Sequence, residues 1–132
     1  EIDVYNFGEM YRDFTFVEDL VRAIFLLIEK KPTSNPISHR DTLSKVAPFR
    51  IVNIGNSTKV KLTDFIEALE GELDLEAKKK LLPMQPGDVP ATWADASLLT
   101  DLINYSPSTD YRTGVKKFVE WYKDHYKLGG RQ

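Results

Sequence analysis

Gln85 and Asp88 flank the dipeptide Pro86-Gly87, within the stretch Pro83-Met84-Gln85-Pro86-Gly87-Asp88-Val89-Pro90-Ala91-Thr92-Trp93-Ala94-Asp95. Proline presets φ and glycine accepts φ > 0, so this dipeptide predicts a tight turn. The turn would hold an amide and a carboxylate in fixed relation on a loop, where binding groups tend to sit. Pro90 stiffens the exit, and Trp93 is expected to anchor the loop to the body. Asp95 is placed to cap the apolar run that begins after Ser97. The stretch reads equally as a Pro-rich connection between a strand and a helix. The residues alone leave both readings open.

The other chemistry-capable residues offer less. His39 and His125 lie far apart with no metal-ligand spacing, and each reads as a surface histidine. Lys78-Lys79-Lys80 reads as a solvated face rather than a phosphate clamp, because the whole chain is slightly acidic, at −2. No nucleophile–base pair and no paired carboxylates have local support. No Gly-rich strand-turn-helix fingerprint occurs, so dinucleotide binding finds no support in these residues. Zero cysteines exclude a disulfide framework and a Cys-based zinc site. They also fit a reducing compartment, and a cytoplasmic location is the expectation.

Short elements must position the loop. Ile2 and Val4 predict a strand ended by Asn6-Phe7-Gly8, and residues 10–15 a second extended piece. Phe16, Val17, Leu20, Val21, Ile24, Phe25, Leu27 and Ile28 recur at helical spacing with a wide apolar face. Thr15 is the expected N-cap of that helix, and Lys30-Lys31-Pro32 its end. Residues 33–48 read as a surface loop. Residues 50–54 are β-branched and read as a strand. Val60, Leu62, Phe65, Ile66 and Leu69 predict the next helix, ending at Gly71. Leu81-Leu82 suggest a short strand, residues 97–103 a short helix, and Tyr105-Ser106-Pro107 a turn. A last helix begins at Asp110 or Thr113 and carries Val115, Phe118, Val119, Trp121, Tyr122 and Tyr126. Residues 128–132 should fray.

The length of 132 residues suits one domain, 1–132. An apolar share of 42% and a charged share of 29% are ordinary for a globular chain, and the acidic balance argues against nucleic acid as a partner. The longest apolar run is too short to span a bilayer. The chain starts inside what reads as a strand and without methionine, which suggests a piece of a longer polypeptide.

Motifs carry the reading further. Tyr11-Arg12-Asp13-Phe14-Thr15-Phe16-Val17-Glu18-Asp19-Leu20 resembles the R-D-[FY]-[TI]-[YFH]-[VI]-x-D segment of extended short-chain dehydrogenases acting on nucleotide sugars. Asn53-Ile54-Gly55-Asn56 resembles their N-[IL]-G strand end. The residues from Gln85 to Asp95 are similar to x-x-G-D-x-x-x-[TYW]-x-A-D. Tyr105-Ser106-Pro107-Ser108-Thr109-Asp110-Tyr111-Arg112-Thr113-Gly114-Val115 resembles the C-terminal signature of UDP-glucuronate 4-epimerases. The motifs keep the family's order across nearly the whole chain. The family's Gly-rich NAD loop, its Tyr-x-x-x-Lys pair and its catalytic Ser/Thr have no counterpart here.

The resemblance implies roles residue by residue. Arg12 stands where the family's arginine meets the substrate diphosphate, and a guanidinium fork suits phosphate oxygens. Asp13 beside it would tune or orient it. Phe14 occupies a position that lines the nucleotide site. Leu62 matches an apolar position that packs on the uracil ring, or is a plain core leucine. Asp88 matches the acid that accepts hydrogen bonds from ribose hydroxyls. Gln85 stands where galactose-type relatives often carry a second arginine, and Met-Gln-Pro-Gly-Asp favours the uronate branch.

The implied fold is an α/β (α+β) fragment: the C-terminal substrate-binding part of an extended short-chain dehydrogenase, with few short strands, about four helices and no Rossmann core. The implied function is UDP-sugar binding within an NAD-dependent 4-epimerase of UDP-glucuronate/UDP-galacturonate type. The alternatives are the same part of a dehydratase or decarboxylase, or a ligand-free interaction module. The expected partners are a UDP-sugar and an N-terminal NAD-binding domain, or self-association through the patch that domain would cover. The chain by itself is expected to bind no NAD and to be catalytically inactive.

Overall fold

The computed structural model describes residues 1–128; the expected frayed tail lies, beyond Leu128, outside the described residues. Four strands of two or three residues and four helices make up the regular structure among them, with a 3₁₀ turn at Tyr5–Gly8. This matches the expected α/β fragment. Contacts divide the chain into two compact units that are interleaved in sequence. One holds Glu1–Arg12, Lys59–Thr92 and the chain from Asp110 onward; the other holds Asp13–Thr58 and Trp93–Thr109.

In the first unit, β1 (Ile2–Val4) pairs in parallel with β4 (Lys79–Leu81), Val4 opposite Leu81. The lysine run therefore lies partly in a strand, and its residues are exposed as expected. Strand β2 (Tyr11–Arg12) pairs antiparallel with β3 (Val60–Lys61), Arg12 opposite Val60. On the other edge of β2, Tyr11 N donates to Pro90 O at 2.8 Å and Thr92 N donates to Tyr11 O at 3.1 Å. These main-chain bonds fix the exit of the Pro-rich loop. Trp93, expected to anchor it, is instead 53% exposed.

Helix α2 (Leu62–Leu73) packs on α4 (Tyr111–His125). Ile66, Val115 and Val119 are buried, as are Val4, Met10 and Val60. Asp110 caps α4 by accepting from Arg112 N at 2.9 Å, the first of the two expected starts. Gly71 was expected to end α2 but lies inside it; the chain leaves at Asp74, at φ 53. Aspartate tolerates this left-handed region because its short polar side chain bonds locally.

In the second unit, α1 (Val17–Leu27) packs on α3 (Ser97–Ile103), around Ala23, Ala96 and Leu99. Helix α3 has the expected bounds, but Asp95 is not its N-cap: Ala96 stands there without a side-chain cap, and Asp95, one residue earlier, accepts from Ser97 N through Oδ1 at 2.9 Å. Thr15 is not the cap of α1: Phe16 stands there without a side-chain bond, and Thr15 Oγ1 accepts from Asn56 N at 3.2 Å. Residues 50–54 form no strand; within them, Ile51 N and O bond the Thr42 hydroxyl. Residues 33–48 contain no helix or strand, but they are tied down. Arg50 donates through Nε and Nη2 to both Asp41 oxygens, at 2.7 and 2.9 Å. The wide apolar face of α1 exists as expected, yet Ala23 is its one buried residue among those described, and Phe25 is 70% exposed. No described helix is long and apolar enough to cross a membrane.

Candidate functional site

The turn around Pro86-Gly87 forms as its residues dictate. Asp88 N donates to Gln85 O at 3.2 Å, and Gly87 has φ 85, the value that excludes most side chains at this position. Asp88 is half-buried and Gln85 exposed. Asp88 Oδ1 accepts from Val89 N at 2.8 Å, which fixes the carboxylate against its own loop.

Arg12 closes β2, and the pairing of β2 with β3 and with residues 90–92 carries its side chain to that turn. Its Nη1 donates to Tyr11 O at 2.8 Å and its Nη2 donates to Asp88 Oδ1 at 3.1 Å. The pair is partly open, with side chains 30% and 33% exposed. Leu62 is the first residue of α2, half-buried, with its N donating to Met10 O at 2.8 Å. Arg12, Asp88, Gln85 and Leu62 thus all belong to the first unit. Phe14 belongs to the second unit, where it is half-buried.

A guanidinium carries five N–H donors, and two are used here among the described residues. An ionised carboxylate only accepts, and Asp88 Oδ2 has no donor among the described residues. Side by side, the two groups can meet a ligand that combines an anion with hydroxyls.

Asp13 departs from the expected role beside Arg12. Its Oδ1 accepts from Asn56 N at 3.1 Å, and its Oδ2 accepts from Ser57 N at 2.9 Å and Ala94 N at 3.0 Å. It ties the Asn-Ile-Gly-Asn segment to the Trp-Ala-Asp segment rather than orienting the guanidinium. Gly55 belongs to the same knot. A Cβ there would lie 2.5 Å from Ala94 Cβ and 2.8 Å from Asp13 Oδ2. The glycine of one motif and the acid of another therefore explain each other, although neither spacing announced it.

Asp19 does a similar task for the C-terminal signature. It accepts from Tyr105 OH at 3.0 Å, Ser108 N at 3.1 Å and Thr109 N at 2.8 Å. Burial pushes its carboxyl up, but the hydrogen bonds from Thr109, Ser108 and Tyr105 outweigh that, and it sits below the ordinary value. His39 and His125 are exposed, as expected of surface histidines, and no described cluster of acids and histidines could hold a metal.

Comparison with known proteins follows the same lines. The model of the GDP-mannose 4,6 dehydratase family matches residues 2–118. An uncharacterized 37.6 kDa protein of Escherichia coli O111:H- is 47% identical over 130 residues, covering 96% of this chain and 39% of that protein. A probable UDP-glucuronate 4-epimerase of Rhizobium meliloti is 43% identical over 130 residues, covering 96% and 38%. The crystal structure of the UDP-glucuronic acid 4-epimerase from Bacillus cereus, in complex with UDP-glucuronic acid and NAD, superposes with a TM-score of 0.72 at 25% identity, over 95% of this chain and 36% of that one. The chain thus spans about two fifths of the length of the curated relatives it matches, 39% and 38% here.

Proposed function

The chain belongs to the GDP-mannose 4,6 dehydratase family, and on that premise we propose that it is the UDP-sugar-binding part of an NAD-dependent nucleotide-sugar 4-epimerase of the UDP-glucuronate/UDP-galacturonate type. The observation that carries the reading is the meeting of Arg12 and Asp88 at 3.1 Å across 76 residues of sequence. Arg12 takes the diphosphate, because its planar fork matches phosphate oxygens and keeps its charge. Asp88 takes the ribose hydroxyls as an acceptor. Gln85, exposed on the same turn, adds a neutral donor. Leu62, half-buried at the start of α2 in the same unit, offers apolar surface to the base. Binding energy gathered on the nucleotide, far from the reacting carbon, orients the sugar for chemistry elsewhere. The likeness to relatives named as UDP-glucuronate 4-epimerases supports the uronate sugar.

NAD would supply the hydride acceptor. The residues of this chain do not fit it. Among the described glycines, Gly8 and Gly87 lie in turns, Gly71 and Gly114 lie within helices, and Gly55 is packed against Ala94. No cluster of them opens a helix beneath a pyrophosphate. A separate NAD-binding part is therefore the proposed partner, and the exposed apolar face of α1 is the surface offered to it.

Titration of UDP into the 132-residue chain, followed by NMR, tests the reading. A dissociation constant of about 1 mM is expected, roughly 4 kcal/mol of binding. Arg12→Ala should weaken UDP more than Asp88→Ala, and Asp88→Ala more than Gln85→Ala, because bonds to charged groups exceed neutral ones by about 1 kcal/mol. Arg12→Lys should recover part of the loss. Wild-type affinity in Arg12→Ala, with a loss in Gln85→Ala, would remove Arg12 from the diphosphate.

A further inference from the structure

We propose that α4 carries a self-recognition surface: two copies of this chain join antiparallel, about a two-fold axis beside Trp121, along the aromatic stripe that α4 leaves exposed. No residue of the nucleotide reading takes part, so the two stand or fall separately.

Tyr111, Gly114, Phe118, Trp121 and His125 follow one another at intervals of three and four residues. That spacing keeps side chains on one seam facing a partner helix. A second seam beside it serves the chain itself, since α4 packs on α2 and buries Val115 and Val119. The first seam stays open among the described residues: Phe118 is 50% exposed and Trp121 54%, and His125 is exposed too. The rings already stand as a ladder. Phe118 lies 5.8 Å from Trp121, and Trp121 stacks on His125 at 5.1 Å with 18° between the planes. A contact surface assembled in advance loses little freedom on binding. A contiguous apolar patch of this kind marks an interaction surface.

Charge selects both the occupant and the direction. Lys117 and Asp124 stand seven residues apart, about two turns, so both line one flank of the stripe, the flank away from Val115 and Tyr122. A two-fold interface needs a surface that answers itself, and a cation and an anion on one flank do so. In an antiparallel pair that flank meets its own copy with the direction reversed. Lys117 of one chain then comes level with Asp124 of the other, and symmetry repeats the pair. The same axis sets Phe118 between Trp121 and His125 of the second copy. In a parallel pair the flank would face Val115 and Tyr122 instead, and the charges would go unmatched. With α2 behind each α4, the two copies make a four-helix arrangement. The 15-residue helix is only about 22 Å long. The contact therefore falls below the standard interface size, and association is weak and concentration-dependent.

Sedimentation velocity on the 132-residue chain tests this, from about 10 µM to about 1 mM, with monomer expected at the low end and dimer at the high end. Over the same range the Trp121 indole N–H resonance should shift while that of Trp93 stays. Trp121→Glu should be monomeric throughout, with its helix content by circular dichroism unchanged because the ring is half-exposed. Lys117→Glu and Asp124→Lys should each weaken the dimer about 5-fold, since each sets like charges together at two symmetric places. The double exchange should return it to within about 2-fold of wild type. That rescue separates pairing between copies from damage to α4, which would accumulate rather than cancel. A chain still monomeric at about 1 mM would overturn the proposal. So would a dimer that survives Trp121→Glu and dissociates in Phe25→Glu, which would place the interface on α1. A dimer lost in Trp121→Glu but not rescued by the double exchange would overturn the antiparallel pairing.

Discussion

Removing the Asp13 carboxylate should loosen the knot that joins residues 55–57 to residue 94. Three main-chain N–H groups point at it, from Asn56, Ser57 and Ala94. The Ser57 bond is exposed, so water replaces it at little cost. The Asn56 and Ala94 bonds are half-buried. Hydrogen bonds to a charged acceptor contribute about 1.5–3 kcal/mol each, and the low end applies at half-burial. Thr15 Oγ1 also reaches Asn56 N, at 3.2 Å, and takes up part of the loss. Asp13→Ala should therefore destabilise by about 2–3 kcal/mol, or roughly 8–12 °C in Tm for a chain of this size. Asp13→Asn gives an internal control. Its single oxygen can stand at Oδ2 and keep two bonds, while its NH₂ then faces Asn56 N–H, donor against donor. A loss of about 1 kcal/mol is expected. Urea unfolding gives the totals, and amide exchange at residues 56, 57 and 94 shows whether the loss is local. Stability within about 0.5 kcal/mol of wild type, with those three amides still protected, would refute the reasoning.

Gly55→Ala should destabilise by about 2–3 kcal/mol, because its new Cβ meets Ala94 Cβ at 2.5 Å and Asp13 Oδ2 at 2.8 Å; a urea midpoint equal to wild type would show that the close approach is not real. Asp41 is held down to about 2 by the Arg50 guanidinium and by the Ile37 and Leu43 amides. Its pKa is depressed on folding, so its contribution is complete above about pH 4 and is lost as pH falls toward 2. NMR titration of the Ile37 and Leu43 amides should give a midpoint near 2, and a midpoint near 4 would remove the pair from the account. Phe25→Lys should leave stability within about 0.5 kcal/mol and reduce binding of an apolar dye, since the ring is 70% exposed and a cation suits the end of a helix. A large drop in Tm would mean that the ring is packed after all.

What the sequence could determine was whatever a few adjacent residues decide among themselves. Pro86-Gly87 sets its turn because φ is restricted at one residue and freed at the next. Tyr111–His125 starts behind Asp110, because a short acid answers the first N–H groups of a helix whatever surrounds it. Motif order pointed to the family. Tertiary structure decided the partners. Arg12 and Asp88 stand 76 residues apart, and nothing in either neighbourhood shows that one will hold the other. Asp13 was read as a neighbour of Arg12, but side chains adjacent in an extended segment point to opposite faces, and its donors come from residues 43, 44 and 81 positions away. Residues 50–54 have strand-forming side chains, yet a strand exists only where a second backbone supplies the ladder; here they form none, and the Ile51 main chain bonds a threonine hydroxyl. Propensity, capping and turns act over one to four residues, while ion pairs, ladders and close approaches depend on which distant backbone the fold brings alongside.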